Sequence, residues 1–202
     1  MRNCRESGFS TTELVIAVAI ILIVAAISIP NLMQTYYNME LRATGDEIGG
    51  LMQQGRILAA KSNSYYAVCY QTNQGIQQVY LSKFTLPSAT PCSFVTGNTL
   101  TVDLARLISM ASAAPGGSPN PTNYSYSLDT TSGTPCDNTC TLAFTPRGLP
   151  CNYTASATTC STPASTYFVY YFKDGRPNGW GALLVTKAAR TKSLIWNGTS
   201  WN

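Results

Sequence analysis

The sequence predicts an α+β protein, in which a long N-terminal α-helix, its first half transmembrane, packs on an antiparallel β-sheet head with disulfide-stapled loops. Three observations carry this prediction. An apolar run, LVIAVAIILIVAAISI, occupies residues 14–29. Apolar residues then recur at helical spacing to about residue 62, and beyond that point short strand-like segments follow one another with no long helix between them.

Composition narrows the class of function. The chain has 202 residues, enough for one domain and an appendage, and its net charge is +4. Charged residues make up 11% of it, against about 25% in typical soluble domains. Histidine is absent, which excludes Ser-His and Cys-His catalysis and histidine-bound metals. We therefore expect no enzyme, no cofactor and no metal site.

The apolar run is long enough to cross a bilayer. A helix of the 21 residues from Phe9 to Ile29 is about 30 Å long, which is roughly the thickness of one hydrocarbon core. Arg2 and Arg5 precede the run, and no Lys or Arg follows it before Arg42. The positive-inside rule then predicts a cytoplasmic N-terminus and an extracytoplasmic remainder.

The cysteines agree with that topology, because six of the seven follow the run. An even number of cysteines in an oxidising compartment predicts a disulfide framework, although six cysteines allow 15 connectivities. Sequence-local pairing is the favoured interpretation, and free buried thiols are the alternative. The favoured pairs are Cys69 with Cys92, Cys136 with Cys140, and Cys151 with Cys160.

A secretory signal peptide is the simplest alternative for this end of the chain, since it also has a basic start and an apolar stretch. Two features oppose it. The apolar run exceeds the usual length of about 7–15 residues. Glu13 stands at the start of the run, and a carboxylate costs about 2.5–3.5 kcal/mol at mid-bilayer, so it needs a partner. The alternative predicts a mature N-terminus near Ile29.

The segment Gly8-Phe9-Ser10-Thr11-Thr12-Glu13-Leu14, followed by the apolar run and Pro30, resembles the N-terminus of type IV pilins and pseudopilins. The resemblance covers residues 1–62. Its features are a short basic leader, Gly before Phe, an acid four residues past the Phe, and a proline ending the run. It implies that a prepilin peptidase removes residues 1–8 by cutting between Gly8 and Phe9, and then N-methylates Phe9.

The same resemblance implies roles for Glu13 and Pro30 in subunit assembly. The Glu13 carboxylate would neutralise the N-terminal amine of an adjacent subunit, and Pro30 would kink or break the helix so that it melts locally as subunits leave the bilayer. The implied location is the bacterial inner membrane, with a periplasmic head, and then a pilus or pseudopilus. The implied partners are other pilin subunits, the prepilin peptidase, the inner-membrane assembly platform and, before assembly, membrane lipid.

The predicted assembly helix, residues 9–30, continues as an amphipathic helix over residues 31–62. One face carries apolar side chains, the opposite face carries polar ones, and four glycines mark bends or points of close packing. The apolar face contains Met33, Tyr37, Leu41, Ile48, Met52 and Ala59. The polar face contains Thr35, Asn38, Arg42, Asp46 and Gln53. The glycines are Gly45, Gly49, Gly50 and Gly55.

The head, residues 63–202, has strand patterns separated by turn signals and by three exposed Ser/Thr/Pro/Gly-rich loops at 112–123, 129–140 and 152–166. One segment, 103–111, is predicted as a short helix. Predicted strands are 65–71, 76–81, 83–86, 93–102, 124–128, 141–145, 167–173, 182–186 and 193–196. Predicted turns are 72–75, 174–175, 177–179 and 197–198.

A second resemblance covers roughly residues 140–202. The segments FTPRGLP at 144–150, YFKDGRP at 171–177 and GWGALLV at 179–185 are similar to the heads of H-type pseudopilins of type II secretion and of FimT-like minor pilins. The two resemblances together imply a structural subunit, either a minor pilin or an H-type pseudopilin. Such a subunit initiates, caps or decorates a type IV pilus or a pseudopilus.

Two further functions remain open at this stage. The major pilin of an adhesive fibre shares the same anchor. A DNA-receptor minor pilin would use basic residues interleaved with tryptophans, because cations neutralise phosphates and aromatic rings stack on bases; the alternative is a charged, solvated strand edge. The candidate DNA contacts are Arg176, Lys187, Arg190 and Lys192; the tryptophans of the same segment are Trp180, Trp196 and Trp201. Asp129 and Asp137 fit no strong calcium-loop pattern, so no calcium site is predicted.

Overall fold

The computed structural model describes residues 10–86, 91–92, 100–104, 107–111, 141–154, 159–161 and 168–202. The chain divides into two compact units, Met1–Tyr37 and Asn38–Asn202, which are taken separately below. Several predictions lie outside the described residues: the cleavage site at Gly8 and Phe9, the strand at 124–128, the loops at 112–123 and 129–140, the Cys136–Cys140 pair and the two aspartates at 129 and 137.

A single helix, α1, runs from Thr11 to Ser62. Its apolar N-terminal part is long and apolar enough to span a membrane: an 18-residue window has a mean hydropathy of 2.7, and none of that window is buried. The helix begins with hydrogen bonds from the Glu13 and Leu14 amides to the Ser10 carbonyl, both 3.1 Å long. The predicted membrane-length helix is therefore present, with its side chains exposed.

Helix α1 is continuous through Pro30, where the sequence predicts a kink or a local break. Proline removes one backbone donor from the helix. Two side chains add hydrogen bonds next to it: Asn31 Nδ2 donates to the Ile27 carbonyl at 3.3 Å, and Thr35 Oγ1 donates to the Asn31 carbonyl at 3.0 Å. Both bonds run to the carbonyl four residues earlier, a pattern that is compatible with a helix and often accompanies a bend in it.

In the second unit, α1 buries one face against the head. The predicted apolar residues Leu41, Ile48, Met52 and Ala59 are all fully buried there. Gln53, predicted on the polar face, is instead half-buried, and its Nε2 donates to the carbonyl of Ala189 at 2.6 Å. Helical spacing alone places Gln53 away from the apolar face of the helix, but the turn that contains Ala189 lies beside the helix and contacts this side chain.

The head contains two antiparallel sheets. Sheet A has the order β3-β2-β1-β5-β6-β7, and sheet B has the order β10-β9-β8-β4. The strands of sheet A are β1 Tyr65–Asn73, β2 Ile76–Phe84, β3 Thr101–Asp103, β5 Thr141–Phe144, β6 Pro150–Thr154 and β7 Thr159–Ser161. The strands of sheet B are β4 Ile108–Ala111, β8 Phe168–Asp174, β9 Trp180–Val185 and β10 Thr191–Ile195. The predicted antiparallel pairing is confirmed for every named pair of strands.

The helix predicted at 103–111 is wrong. Asp103 ends β3, and Ile108–Ala111 forms β4, which pairs with β8. Both strands are held by glutamines of β2: Gln78 Nε2 donates to Asp103 Oδ1 at 2.7 Å, and Gln77 Oε1 accepts from the Met110 amide at 2.6 Å. Partners distant in sequence therefore override the local helical preference.

Two further boundaries differ from the prediction. Strand β2 continues to Phe84, so no separate strand begins at Lys83. The loop predicted at 152–166 contains most of β6 and the whole of β7, which pair as a hairpin. Apolar content alone could not reveal this hairpin, because its cross-link is a disulfide between Cys151 and Cys160.

The main core lies between α1 and both sheets. Alternate residues of the strands face it, for example Val68 and Val79 in sheet A and Phe172 and Leu183 in sheet B. The other faces of the two sheets carry smaller clusters. Both described disulfides lie on the outer face of sheet A, and they confirm two of the three predicted pairs: Cys69–Cys92, with Cα atoms 5.7 Å apart, and Cys151–Cys160, with Cα atoms 5.5 Å apart.

The helix glycines provide a matched test of close packing. A Cβ at Gly55 would lie 2.8 Å from Leu81 Cδ2 and 3.3 Å from Phe144 Cδ2, whereas a Cβ at Gly50 would meet no atom within 4 Å. We expect Gly55→Ala to lower the free energy of unfolding by about 1–3 kcal/mol through overpacking. Gly50→Ala should raise it by up to about 1 kcal/mol through helix propensity. Urea unfolding of the two variants measures both effects, and equal shifts would contradict the packing.

Tyr170 makes the head sensitive to alkali. Its burial raises the pKa of the hydroxyl above the ordinary value, and the backbone of Leu142 offsets part of that rise. The unfolded chain therefore loses this proton from about pH 10 upward while the folded chain retains it, so stability falls as pH rises through that range. We expect Tyr170→Phe to make this alkaline fall shallower in pH-dependent urea unfolding. An unchanged slope would contradict the assignment.

Candidate functional site

The N-terminal candidate is Glu13, in the first turn of α1. Its side chain is exposed, and it forms no hydrogen bond or ion pair with any residue that the structure describes. A carboxylate in the first turn is favoured by the helix dipole, but it stands at the start of an apolar segment where a lipid environment would penalise its charge. The geometry leaves this carboxylate available to a cation supplied from outside the described chain.

Of the four candidate DNA contacts, Arg176 is committed to an internal ion pair. Its Nη2 and Nε donate to Asp174 Oδ2 at 2.6 and 2.9 Å, and Asp174 is only 2% exposed. The backbone amide of Arg176 also donates to Asp174 Oδ1 at 3.0 Å. A further bond of 3.0 Å runs from Nη2 to Asn38 Oδ1 on α1, so this arginine ties the β8–β9 turn to the helix.

The sequence offers a signal for this ion pair that the prediction missed. Asp174 is predicted from the sequence only as a turn residue, although Arg176 follows it two residues later, after Gly175. Gly179 is the other requirement, because a side chain at that position would overlap the Asp174 carboxylate. The contact with Asn38 has no such signal, since 138 residues separate the two partners.

The remaining basic residues lie away from the tryptophans. Lys187 and Arg190 are in the β9–β10 turn, which is closed by hydrogen bonds between Thr186 and Arg190. Trp180 is at the other end of β9, and six extended residues span about 20 Å. Lys187 and Arg190 are therefore at the opposite end of β9 from Trp180, and they do not form one surface with it.

Lys192 and Trp201 are also parts of the fold. Lys192 lies within β10, paired in register with Leu184. Trp201 is 8% exposed, and its ring lies 6.2 Å from that of Tyr171 and 5.3 Å from that of Trp196. Burial excludes Trp201 as a free platform for stacking a base. The structure thus does not assemble the predicted DNA contact from these residues.

Other sites are few among the described residues. No group of three or more Cys, Asp or Glu side chains there is placed to hold a metal ion. A cavity of about 350 Å³ opens where the β1–β2 turn approaches β4, and it is lined largely by aliphatic side chains such as Ile76, Leu107 and Ile108. Lys173 and Asp174 also border it, but the Asp174 charge is already neutralised by Arg176.

The ion pair predicts a large difference between two arginine substitutions. Arg176→Gln leaves the buried Asp174 carboxylate without its cation, so we expect the free energy of unfolding to fall by about 3–5 kcal/mol. Arg190→Gln, on the exposed turn, is the control and should change it by less than about 0.5 kcal/mol. Urea unfolding of the full chain in detergent measures both. Similar midpoints for the two variants would show that the pair does not stabilise the head.

The described residues thus contain an exposed apolar helix with an unpartnered carboxylate at its start, and a disulfide-linked head in which Asp174 and Arg176 form an internal ion pair. Comparisons of the chain with protein-family models, with curated proteins and with solved structures found no match. The functional argument therefore depends on the residues themselves.

Proposed function

We propose that this chain is a structural prepilin-like subunit, a minor pilin or H-type pseudopilin of a type IV pilus or type II secretion system, which assembles through its N-terminal helix. One observation carries the proposal. Helix α1 combines an exposed, membrane-length apolar segment that begins at an unpartnered Glu13 with a segment from Leu41 to Ala59 that packs on the head. The side chains of the first segment are exposed in the described chain, whereas one face of the second is buried against the sheets.

The apolar segment lies first in lipid and then among neighbouring subunits of the fibre. Before assembly, lipid covers it, because exposed aliphatic side chains over about 20 helical residues match the hydrocarbon thickness. In the fibre, the same segments of neighbouring subunits cover one another. The segment therefore stays out of water in both states, and exposing it to water between them would cost about 25 cal/mol per Å². Side-chain packing in the fibre replaces the lipid contacts.

Glu13 gives the assembly its register. Peptidase cleavage after Gly8 creates an α-amine at Phe9, and an amine with an ordinary pKa near 7.7–8.0 is largely cationic at neutral pH. The Glu13 carboxylate of one subunit forms an ion pair with the Phe9 ammonium of the next, in a low-dielectric setting where an unpaired charge is costly. The contact therefore selects subunits that have been processed.

The head fits an extracytoplasmic location. Its two described disulfides, Cys69–Cys92 and Cys151–Cys160, require an oxidising compartment to form and persist. This agrees with the arginines before the apolar run and the absence of Lys and Arg after it until Arg42. We infer a cytoplasmic N-terminus and a periplasmic head before assembly.

The first test is the mature N-terminus. The chain is produced in a host that contains a prepilin peptidase and is recovered from the membrane for mass spectrometry. We expect a chain that begins at N-methylated Phe9. A control variant, Gly8→Leu, should remain uncut because its side chain obstructs the protease. A mature start near Ile29 would instead identify a signal peptide and overturn the proposal.

The second test is the Glu13 contact. Glu13→Ala should be processed normally, yet its amount in sheared fibres relative to the membrane should fall at least tenfold. Glu47→Ala is the matched control, because Glu47 is an exposed acid on the same helix; its incorporation should equal that of the parent. Efficient incorporation of processed Glu13→Ala would contradict assembly through this carboxylate.

A further inference from the structure

Three tryptophans form a row across one end of sheet B. Trp180 is the first residue of β9, and the backbone amide of Trp196 donates to its carbonyl at 2.9 Å. Trp196 in turn bridges to Trp201. Neighbouring strands are about 4.8 Å apart, so the row spans about 10 Å. All three rings pack on one cluster, the face of sheet B turned away from the core that contains α1.

The row has a buried member and two partly exposed ones. Trp201 is buried between Tyr171 and Trp196, with its ring centroid 5.3 Å from that of Trp196. Trp180 and Trp196 are partly exposed. The Trp180 ring is oriented by a 3.2 Å hydrogen bond from its Nε1 to the Pro177 carbonyl. Packing on the outer cluster of sheet B therefore holds the Trp180 and Trp196 rings in place, and part of each ring remains exposed to solvent.

A free amide lies beside these rings. The side chain of Asn178 is exposed and makes no hydrogen bond with the residues that the structure describes, and a Cβ at Gly198 would lie 3.6 Å from its Nδ2. Asn197, by contrast, uses its Oδ1 within its own turn, where it accepts from the Thr199 and Ser200 amides at 2.9 and 2.7 Å. Asn178 is thus the side chain that can both donate to and accept from a ligand next to the row.

The charges at this end of the sheet favour an uncharged ligand. Asp174 and Arg176 neutralise each other, which leaves one cation without an acid among the described residues at this end. The exposed Lys173 side chain places its ammonium over the Trp180 ring, 5.7 Å from the centroid, so a ligand that stacks there displaces this side chain. Lys187 and Arg190 are at the opposite end of β9. A nucleic acid would need several cations along its phosphates, and this end of the described sheet supplies one.

We propose that Trp180, Trp196 and Asn178 form a binding site for a neutral polysaccharide. The C–H faces of pyranose rings are apolar and weakly electropositive, so they stack on the electron-rich faces of tryptophans. Sugar hydroxyls both donate and accept hydrogen bonds, which matches an amide. A row of adjacent rings suits a chain of repeated sugar units. The proposal does not depend on the assembly role, because no residue of it lies on α1.

The test is native gel electrophoresis of the full chain in detergent micelles, through gels that contain laminarin, hydroxyethylcellulose or dextran. We expect at least one glucan to retard the parent chain. Trp180→Ala and Asn178→Ala should each raise the apparent Kd at least about tenfold, the size expected for the loss of one stacking contact or one hydrogen bond to the ligand. Lys187→Gln, at the other end of the sheet, is the control and should bind as the parent does.

The design separates loss of binding from loss of folding. Asn178 is exposed and makes no internal side-chain bond, so Asn178→Ala should keep the urea midpoint of the parent. Absence of retardation by all three glucans would overturn the proposal. So would parental affinity in both the Trp180 and Asn178 variants. Binding of an oligo-dT strand that depends on Trp180, with no glucan binding, would assign the row to nucleic acid and would equally overturn it.

Discussion

Burial of one face of helix α1 against both sheets is the interaction on which the head depends. The helix contributes Leu41, Ile48 and Met52 to the core cluster that sheet A and sheet B share. That contact requires the helix backbone to come close to both sheets. A Cβ at Gly45 would clash with Ser193 and Phe172 of sheet B, and a Cβ at Gly55 would crowd Leu81 and Phe144 of sheet A. The glycines weaken the helix by local propensity and are retained by packing.

The surfaces that the helix does not cover are closed in other ways. On sheet A, two disulfides cross-link the outer face, where the smaller cluster contains Cys69 and Cys151 beside Tyr80 and Tyr153. On sheet B, the C-terminal residues fold back, and Trp201 packs over Tyr171 while Asn202 exchanges two backbone hydrogen bonds with Ile195. The head therefore uses disulfides on the outer face of one sheet and aromatic packing on the outer face of the other.

The C-terminal segment shows how far sequence proximity can mislead about function. Basic residues and tryptophans are mixed from Lys173 to Trp201, and composition alone suggests one mixed surface. Antiparallel pairing separates the two basic residues of the β9–β10 turn from the tryptophans, because that turn lies at one end of the sheet and the tryptophans lie at the other, where Lys173 stays beside Trp180. Arg176 forms an ion pair with Asp174, so its charge is not available to a ligand on that surface. What remains is an aromatic row at one end and an exposed basic turn at the other, two surfaces with different chemistry.

The sequence by itself determined the features that depend on local order. The apolar run requires a membrane-length helix, alternation and turn residues specify β1, β2, β8 and β9, and short loops between cysteines favour the pairs Cys69–Cys92 and Cys151–Cys160. Only the tertiary structure decided the rest. Strand β4 stands where the sequence predicts a helix, and a glutamine of β2 holds it, as another holds Asp103 at the end of β3. Gln53 bonds the Ala189 carbonyl, and Arg176 bonds Asn38. Each of these contacts joins residues at least 25 positions apart, and local propensity carries no information about a partner at that distance.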